Sequence, residues 1–346
     1  MLGALMLVWV AFAMATDGVF LSPRNLALLS RQMAVTAMAT TGIVLLIVSG
    51  QIDLSVGSLA GLCGAVAAMG CTVLGLGVAP AIALAVALGA VLGFSQGSVV
   101  SRFGVPSFIV TLGGMLIFQG ILLGLTKGVS IVPPEGFLRI GQEFLPKSAT
   151  WALGLAGAGL CIRQAWRVKG PVLWGLCAAA SMGLAALFNA YHGLPLPVLL
   201  MLLLAACFWG LAEHTAFGRQ LYAIGGNRDA AFYAGVPINR RIVAIFTIMG
   251  AVSALAGVVL TARVGAASSD AGKMLELDAI AAAVIGGASL LGGRGSVWGA
   301  ILGAAVMASL DNGMSLLNTE AFWQPIIKGA ILVAAVTADL RWRFRK

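Results

Sequence analysis

Asp53 stands in SGQIDLSVGS (49–58), a short polar break between two long apolar runs, and no other acidic residue is flanked so closely by such runs on both sides. A lone charge at the centre of a bilayer costs at least about 2.5–3.5 kcal/mol. A carboxylate here must therefore sit near an end, or at a helix break that faces water or protein. Two chemistries fit. Asp53 or Ser55 can satisfy free N–H groups as the N-cap of the next helix, and Asp53 can also be a polar hinge on a solute path. Glu276 and Asp278, just before another apolar run, read as first-turn acids suited to a helix dipole. Asp311 and Asn312 close an apolar run near one mouth of the protein; helix termination is the plain reading and contact with a solute the sharper one.

No catalytic set is visible. The phosphate-binding pattern GxxxxGK[ST] is absent around Lys127, Lys147, Lys169, Lys273 and Lys328. His192 and His214 fall at opposite ends of one apolar run, so they make no metal pair and read as interfacial residues. The five cysteines (Cys63, Cys71, Cys161, Cys177, Cys207) are odd in number and lack metal-ligand spacing, which makes buried free thiols the expectation and leaves no metal site.

The elements that hold these residues are hydrophobic. Of 346 residues, 60% are apolar and 10% charged, against about 25% charged in soluble domains. Mean hydropathy is +1.02. Runs at 33–50, 58–76, 79–100, 108–126, 172–190, 197–212, 242–264, 279–291, 297–310 and 326–338 approach the roughly 20 residues that cross a bilayer. Shorter ones lie at 2–15 and 151–162. The chain thus reads as one all-α, polytopic membrane domain (1–346) of about twelve helices. Continuous rather than alternating runs argue against a β-barrel. Its 46 glycines suit close helix packing in lipid. Ala13-Met14-Ala15 resembles a signal cleavage site, but no basic residue precedes 2–15, so a first membrane helix starting almost at Met1 is expected.

The net charge of +9 orients the chain and calls for no nucleic acid. Thirteen of the 21 basic residues fall in segments on one side: Arg102; Arg163, Arg167 and Lys169; Arg219, Arg228, Arg240 and Arg241; Arg294; Arg341, Arg343, Arg345 and Lys346. The positive-inside rule makes that side, and both chain ends, cytoplasmic. Segments 16–32 and 127–150 read as outside connections, and 151–190 as a helical hairpin. Gly57-Ser58-Leu59-Ala60-Gly61 and Gly295-Ser296-Val297-Trp298-Gly299 share a faint self-similarity, each opening an outward helix.

One stretch on the basic side is long and polar: GRQLYAIGGNRDAAFYAGVPINRR, 218–241. Asn227 to Tyr233 is helix-compatible with Asn227 as cap. Gly225-Gly226 permits the turn before it, and Gly235 with Pro237 ends it. Ala230 and Ala231 are small enough for another surface to approach. A passive connection is the plain alternative, although 24 residues are long for one within a bundle.

YAIGGNRDAAFYAGV resembles the coupling segment of permease subunits of bacterial ATP-binding-cassette sugar importers of the ribose/xylose/arabinose type. QIDLSVGSLAGL, VPSFIVTLGGML, ELDAIAAAVIGGASLLGGRGSVWGA and MASLDNGMS resemble signatures of the same family, in the same order. The extra hairpin at 151–190, TDGVFLSPRNL and SLDNGMS are similar to its xylose-transporting branch; the near-absent N-terminal cytoplasmic segment departs from it.

The resemblance implies a ten-helix permease core plus that hairpin, a homodimer in the inner membrane, and import of a monosaccharide, D-xylose. It implies a periplasmic sugar-binding protein outside and a double-domain ATPase inside. This chain would bind no cofactor, ATP and Mg residing on the ATPase. Tyr222, Ala223, Gly225, Gly226, Asn227, Ala230, Ala231, Gly235 and Val236 would contact the ATPase. Asp53, Ser55, Ser107, Asp311 and Asn312 are the translocation-path candidates. A secondary transporter using Asp53 as a proton or sodium site, and a membrane enzyme, are the other classes; the second lacks clustered His, Asp or Cys.

Overall fold

A computed structural model describes residues 2–165, 171–320 and 322–343. Fifteen α-helices account for most of them, in the order α1 (Leu2–Ala15), α2 (Pro23–Val48), α3 (Val56–Thr72), α4 (Val78–Phe103), α5 (Ser107–Thr126), α6 (Glu135–Gln142), α7 (Lys147–Ala165), α8 (Pro171–Asn189), α9 (Leu196–His214), α10 (Ala216–Gly226), α11 (Arg228–Tyr233), α12 (Ile238–Val264), α13 (Leu275–Ile285), α14 (Val297–Leu316) and α15 (Trp323–Arg343). Six of them, α2, α4, α5, α9, α12 and α14, are long and apolar enough to cross a membrane. The basic loop at 166–170 and the terminal 344–346 lie outside the described residues.

Two expected connections are helical instead. The polar residues of 16–32 hide the start of α2, which Ser22 caps by accepting the N–H of Asn25. Asn25 and Arg31 are polar without being loop residues because each has a partner across the bundle. Asn25 pairs amide to amide with Asn312, at 2.8 and 3.0 Å, and Arg31 donates to the carbonyl of Gly141 at 2.9 Å. The 127–150 segment contains α6, which lies against the end of α12 where Gly141 meets the backbone of Arg263.

Helices α2 and α12 cross at the centre, Gly42 of α2 meeting Met249 and Val252 of α12. They run in opposite directions. Val48, at the end of α2, meets Gly225 and Gly293 at the basic end of the bundle, whereas Arg31 and the end of α12 share Gly141 towards the far end. Each long helix is followed by a non-helical break and then a new helix. Segment 49–55 leads to α3, which packs on α12, and segment 265–274 leads to α13, which packs on α2. Helix α4 then returns antiparallel along α12 through Gly89, Gly93 and Gly97, while α14 returns along α2. The units α2–α3–α4 and α12–α13–α14 are thus inverted counterparts. The faint likeness between 57–61 and 295–299 does not follow this symmetry, because α3 corresponds to α13 rather than to α14.

The apolar run 279–291 is not a full span. α13 stops at Ile285, and 286–296 forms a loop at the basic end, where Gly293 N–H donates to the carbonyl of Val48 at 2.8 Å. Eleven helical residues rise about 16 Å, roughly half of a 30 Å hydrocarbon core. Helix α13 therefore begins near mid-depth, and so does α3, because Gly57 of α3 abuts Gly272 and Glu276. The N-termini of the short α13 and the 17-residue α3 face each other inside the protein. Backbone off the helix at such depth is tolerated only when buried in protein or lining a water-filled cavity.

Candidate functional site

The break before α3 is fully engaged with protein at the sites that bear on function. Ile52 N–H donates to Ser107 Oγ and Leu54 N–H to Thr111 Oγ1, both at 3.1 Å, so the strand-like segment climbs the first turn of α5. Asp53 is 2% exposed. Its Oδ1 accepts from Ser55 N–H at 2.8 Å and from Ser55 Oγ–H at 2.7 Å, and Gln96 Nε2 of α4 donates to Ser55 Oγ at 2.9 Å. The N-cap expectation is thereby corrected. Ser55 holds the cap position but makes no side-chain cap bond, and Asp53 closes a turn one step before the helix. Thr111 and Gln96 are partners that sequence reasoning missed; a glutamine inside the apolar run 79–100 was the available signal.

These bonds predict a split between two substitutions. Asp53→Asn keeps an Oδ1 acceptor and should leave folding near normal. Asp53→Leu removes it and strands the Ser55 donors, at a cost of about 1–3 kcal/mol each. Thermal melting of the purified protein in detergent checks this, and equal melting temperatures for the two variants would contradict it.

Asp311 and Asn312 do not end a helix, since α14 continues to Leu316. Lys328 of α15 places its Nζ 2.9 Å from Oδ1 of Asp311 and 2.9 Å from Oδ1 of Asp278 on α13. All three side chains are 16% exposed. One ammonium thus ties three helices together while two carboxylates share it. Asn312 is engaged by Asn25. Both residues named as path candidates on α14 are therefore held by protein partners. Glu276 and Asp278 do fall in the first turn of α13, as expected.

The expected coupling segment forms α10 and α11 at the basic end. Asn227 caps α11, its Oδ1 accepting from Ala230 N–H at 2.9 Å, and Gly235 ends it at φ +78°. Tyr222, Gly225 and Ala231 turn towards the protein. Tyr222 donates its hydroxyl to the Gly295 carbonyl at 2.8 Å, and burial, with Glu213 adding to it, holds that phenol above its ordinary pKa. A Cβ on Gly225 would strike the Val48 carbonyl. Ala231 is 4% exposed. Ala223, Gly226, Asn227, Ala230 and Gly235 are exposed and Val236 half-buried. The prominent outward residues are Phe232 and Tyr233, 66% and 87% exposed, beside a cleft of about 540 Å³ lined by Arg228, Asp229, Phe232, Pro237 and Arg240. The small alanines drew attention away from these two aromatics, whose place outside the apolar runs was the signal.

Of the five free cysteines only Cys63 is buried; Cys177 and Cys207 are exposed on helices α8 and α9, so the buried-thiol reading fails for them. His192 meets Tyr191 edge-on and Phe144 at a tilt, and His214 meets Trp209 edge-on.

This inverted, broken-helix membrane architecture is that of a transport protein, and comparison with known proteins specifies the class. Residues 25–336 match the profile of the branched-chain amino acid transport system / permease component family, and the chain belongs to that family. It is 45% identical to the xylose transport system permease protein XylH of Escherichia coli K12, over 98% of this chain and 90% of that protein. The corresponding protein of Haemophilus influenzae is 44% identical, over 98% and 95%. The ribose import permease protein RbsC of Escherichia coli K12 is 33% identical, over 96% and 91%. No solved structure matches.

Proposed function

We propose that this chain is the membrane-spanning permease of an ATP-binding-cassette importer that carries a monosaccharide, D-xylose, across the bacterial inner membrane. The single observation that carries this reading is the near end-to-end likeness to XylH, clearly above the likeness to RbsC. The substrate is a sugar rather than the amino acid of the family's description because these full-length relatives transport pentoses. The chain works as a homodimer, receives its cargo from a periplasmic sugar-binding protein and holds no nucleotide itself. ATP and Mg are on a cytoplasmic double-domain ATPase. The basic end, with Arg102, Arg219, Arg228, Arg240, Arg241 and Arg294, is cytoplasmic, as are both chain termini.

The ATPase docks on α10–α11. Exposed aromatic residues outside the membrane are characteristic of contact surfaces and dominate binding energy there. Phe232→Asp should therefore leave the amount of permease unchanged, because the side chain is exposed. It should weaken ATPase binding by about 30-fold or more, the effect of losing a hot-spot residue. Ala230→Glu should act in the same direction. Ala231→Glu should instead damage the permease itself, because that methyl group faces inward. Co-purification of the ATPase together with xylose uptake in cells measures the effect, and unchanged values for Phe232→Asp and Ala230→Glu would overturn the docking assignment.

A further inference from the structure

We propose that a polar niche where the N-termini of α3 and α13 meet contacts the sugar's hydroxyl groups during passage, with Gln119 of α5, Ser58 of α3 and Glu276 of α13 as its contact residues. This deepens the proposed function and rests on it.

The five residues expected on the path are each engaged by a protein partner. Ser55 bonds Oδ1 of Asp53 and Gln96, Ser107 Oγ accepts from the Ile52 N–H, and Asp311 and Asn312 are held by Lys328 and Asn25. The niche lies nearby, beside Ser58 in the first turn of α3. It has a volume of about 40 Å³ and is lined by Ser58, Gln119, Asp270, Lys273 and Glu276, with Met115 and Leu122 as apolar walls. A site needs about 10–15 Å³ to hold one water, so this space admits a few waters or one hydroxylated edge of a sugar. It is walled on one side by 265–274, the segment that descends from the far end of the bundle, with the Asp270–Lys273 pair at its rim.

Gln119 gives the niche its direction. It is twelve residues into α5, about 18 Å along the helix, and is exposed. Its exposed neighbours Leu116, Ile117 and Leu123 are apolar. An amide left unpaired in hydrocarbon is costly, and polar side chains at such depth face a bundle interior or a water-filled cavity. Gln119 therefore marks where the surface of α5 turns from lipid to an aqueous route. Glu276 supplies a carboxylate acceptor, Gln119 both donor and acceptor, and Ser58 Oγ, which donates to the Ser55 carbonyl at 2.9 Å, a free acceptor. This donor and acceptor set suits a neutral polyol, and the cation at the rim, Lys273, lies beside the Asp270 carboxylate. Gly57 lets α3 approach the start of α13 here, since a Cβ on it would strike Glu276 and the Gly272 carbonyl.

The test uses the importer reconstituted with its ATPase and binding protein, in a permease whose native cysteines are replaced. Gln119→Cys should react with a membrane-impermeant methanethiosulfonate at least about tenfold faster than Ile117→Cys, since only the first faces water. Separately, Gln119→Leu and Glu276→Gln should each lower xylose uptake about tenfold, the loss of one hydrogen bond to a charged or buried group. ATPase stimulation by the loaded binding protein should persist. Labelling of Gln119→Cys no faster than of Ile117→Cys, or wild-type uptake in both polar variants, overturns the niche. Absence of uptake by the unaltered complex would overturn the function reading instead, so the two failures are distinguishable.

Discussion

Lys328→Met is expected to remove most of the folded permease. The ammonium it deletes is shared by Asp278 and Asp311, both within 2.9 Å and largely shielded from water. Removing one partner of a buried ion pair costs about 3–5 kcal/mol, because the charge left behind has nothing to replace it. Here two carboxylates are left facing each other. The loss also removes the ionic tie of α15 to α13 and α14, and α13 has only eleven residues with which to hold its place. The triple variant Lys328→Met, Asp278→Asn, Asp311→Asn carries no charge at the site and should recover much of the lost stability. Fluorescence-detected gel filtration and melting in detergent separate the two variants. A single variant as stable as the wild type would show that the cluster is solvated and dispensable.

Gly257→Leu is expected to have the next largest effect. At this point α3 crosses α12 so closely that a Cβ on Gly257 would lie inside the Ala60 carbonyl oxygen, with the Ala60 Cα and carbonyl carbon just behind it. Both obstacles are backbone, so no side-chain rotation relieves the clash and the helices must separate. Overpacking of this kind costs about 1–3 kcal/mol and occasionally more. Small residues are what allow such approach in lipid, where packing drives helix association. Because α3 begins where it meets the start of α13, its displacement should also stop transport in whatever protein still folds. Gly210→Leu on α9 is the control: no atom lies within 4 Å of a Cβ there, and it should melt and transport like the wild type. Equal behaviour of the two leucine variants would contradict the packing described.

Much of this fold was legible in the sequence, because long apolar runs are an unambiguous signal. The runs at 79–100, 108–126, 197–212, 242–264 and 297–310 each lie within or nearly within one helix. What misled were polar residues that find partners across the bundle. Asn25 and Arg31 made the start of α2 look like a loop, and Asp311 and Asn312 made the last turns of α14 look like an end. Hydropathy counts a polar residue the same whether or not a distant partner satisfies it. The short span of α13 was illegible for a related reason. The run 279–291 is apolar apart from Ser289, yet the helix ends at Ile285 because 286–296 turns back over glycines against Val48. Lys328 was the missed clue, since a lysine inside the run 326–338 requires an acid from another helix. At the basic end the cap and terminator of α11 were readable from Asn227 and Gly235. Which face of that six-residue helix points outward was not, because two turns carry too little periodicity to tell Ala231 from Phe232.

Under the proposed function, this chain moves xylose inward only when an ATPase drives it through α10–α11. Proteoliposomes containing the permease, the ATPase and the sugar-binding protein, oriented with the ATPase inside, measure this through accumulation of radiolabelled xylose. Uptake is expected to run against a gradient, to require enclosed ATP and Mg together with the binding protein, to be unaffected by collapsing proton and sodium gradients, and to be lost with Phe232→Asp. Accumulation by the permease alone, driven by an ion gradient and indifferent to ATP, would contradict it.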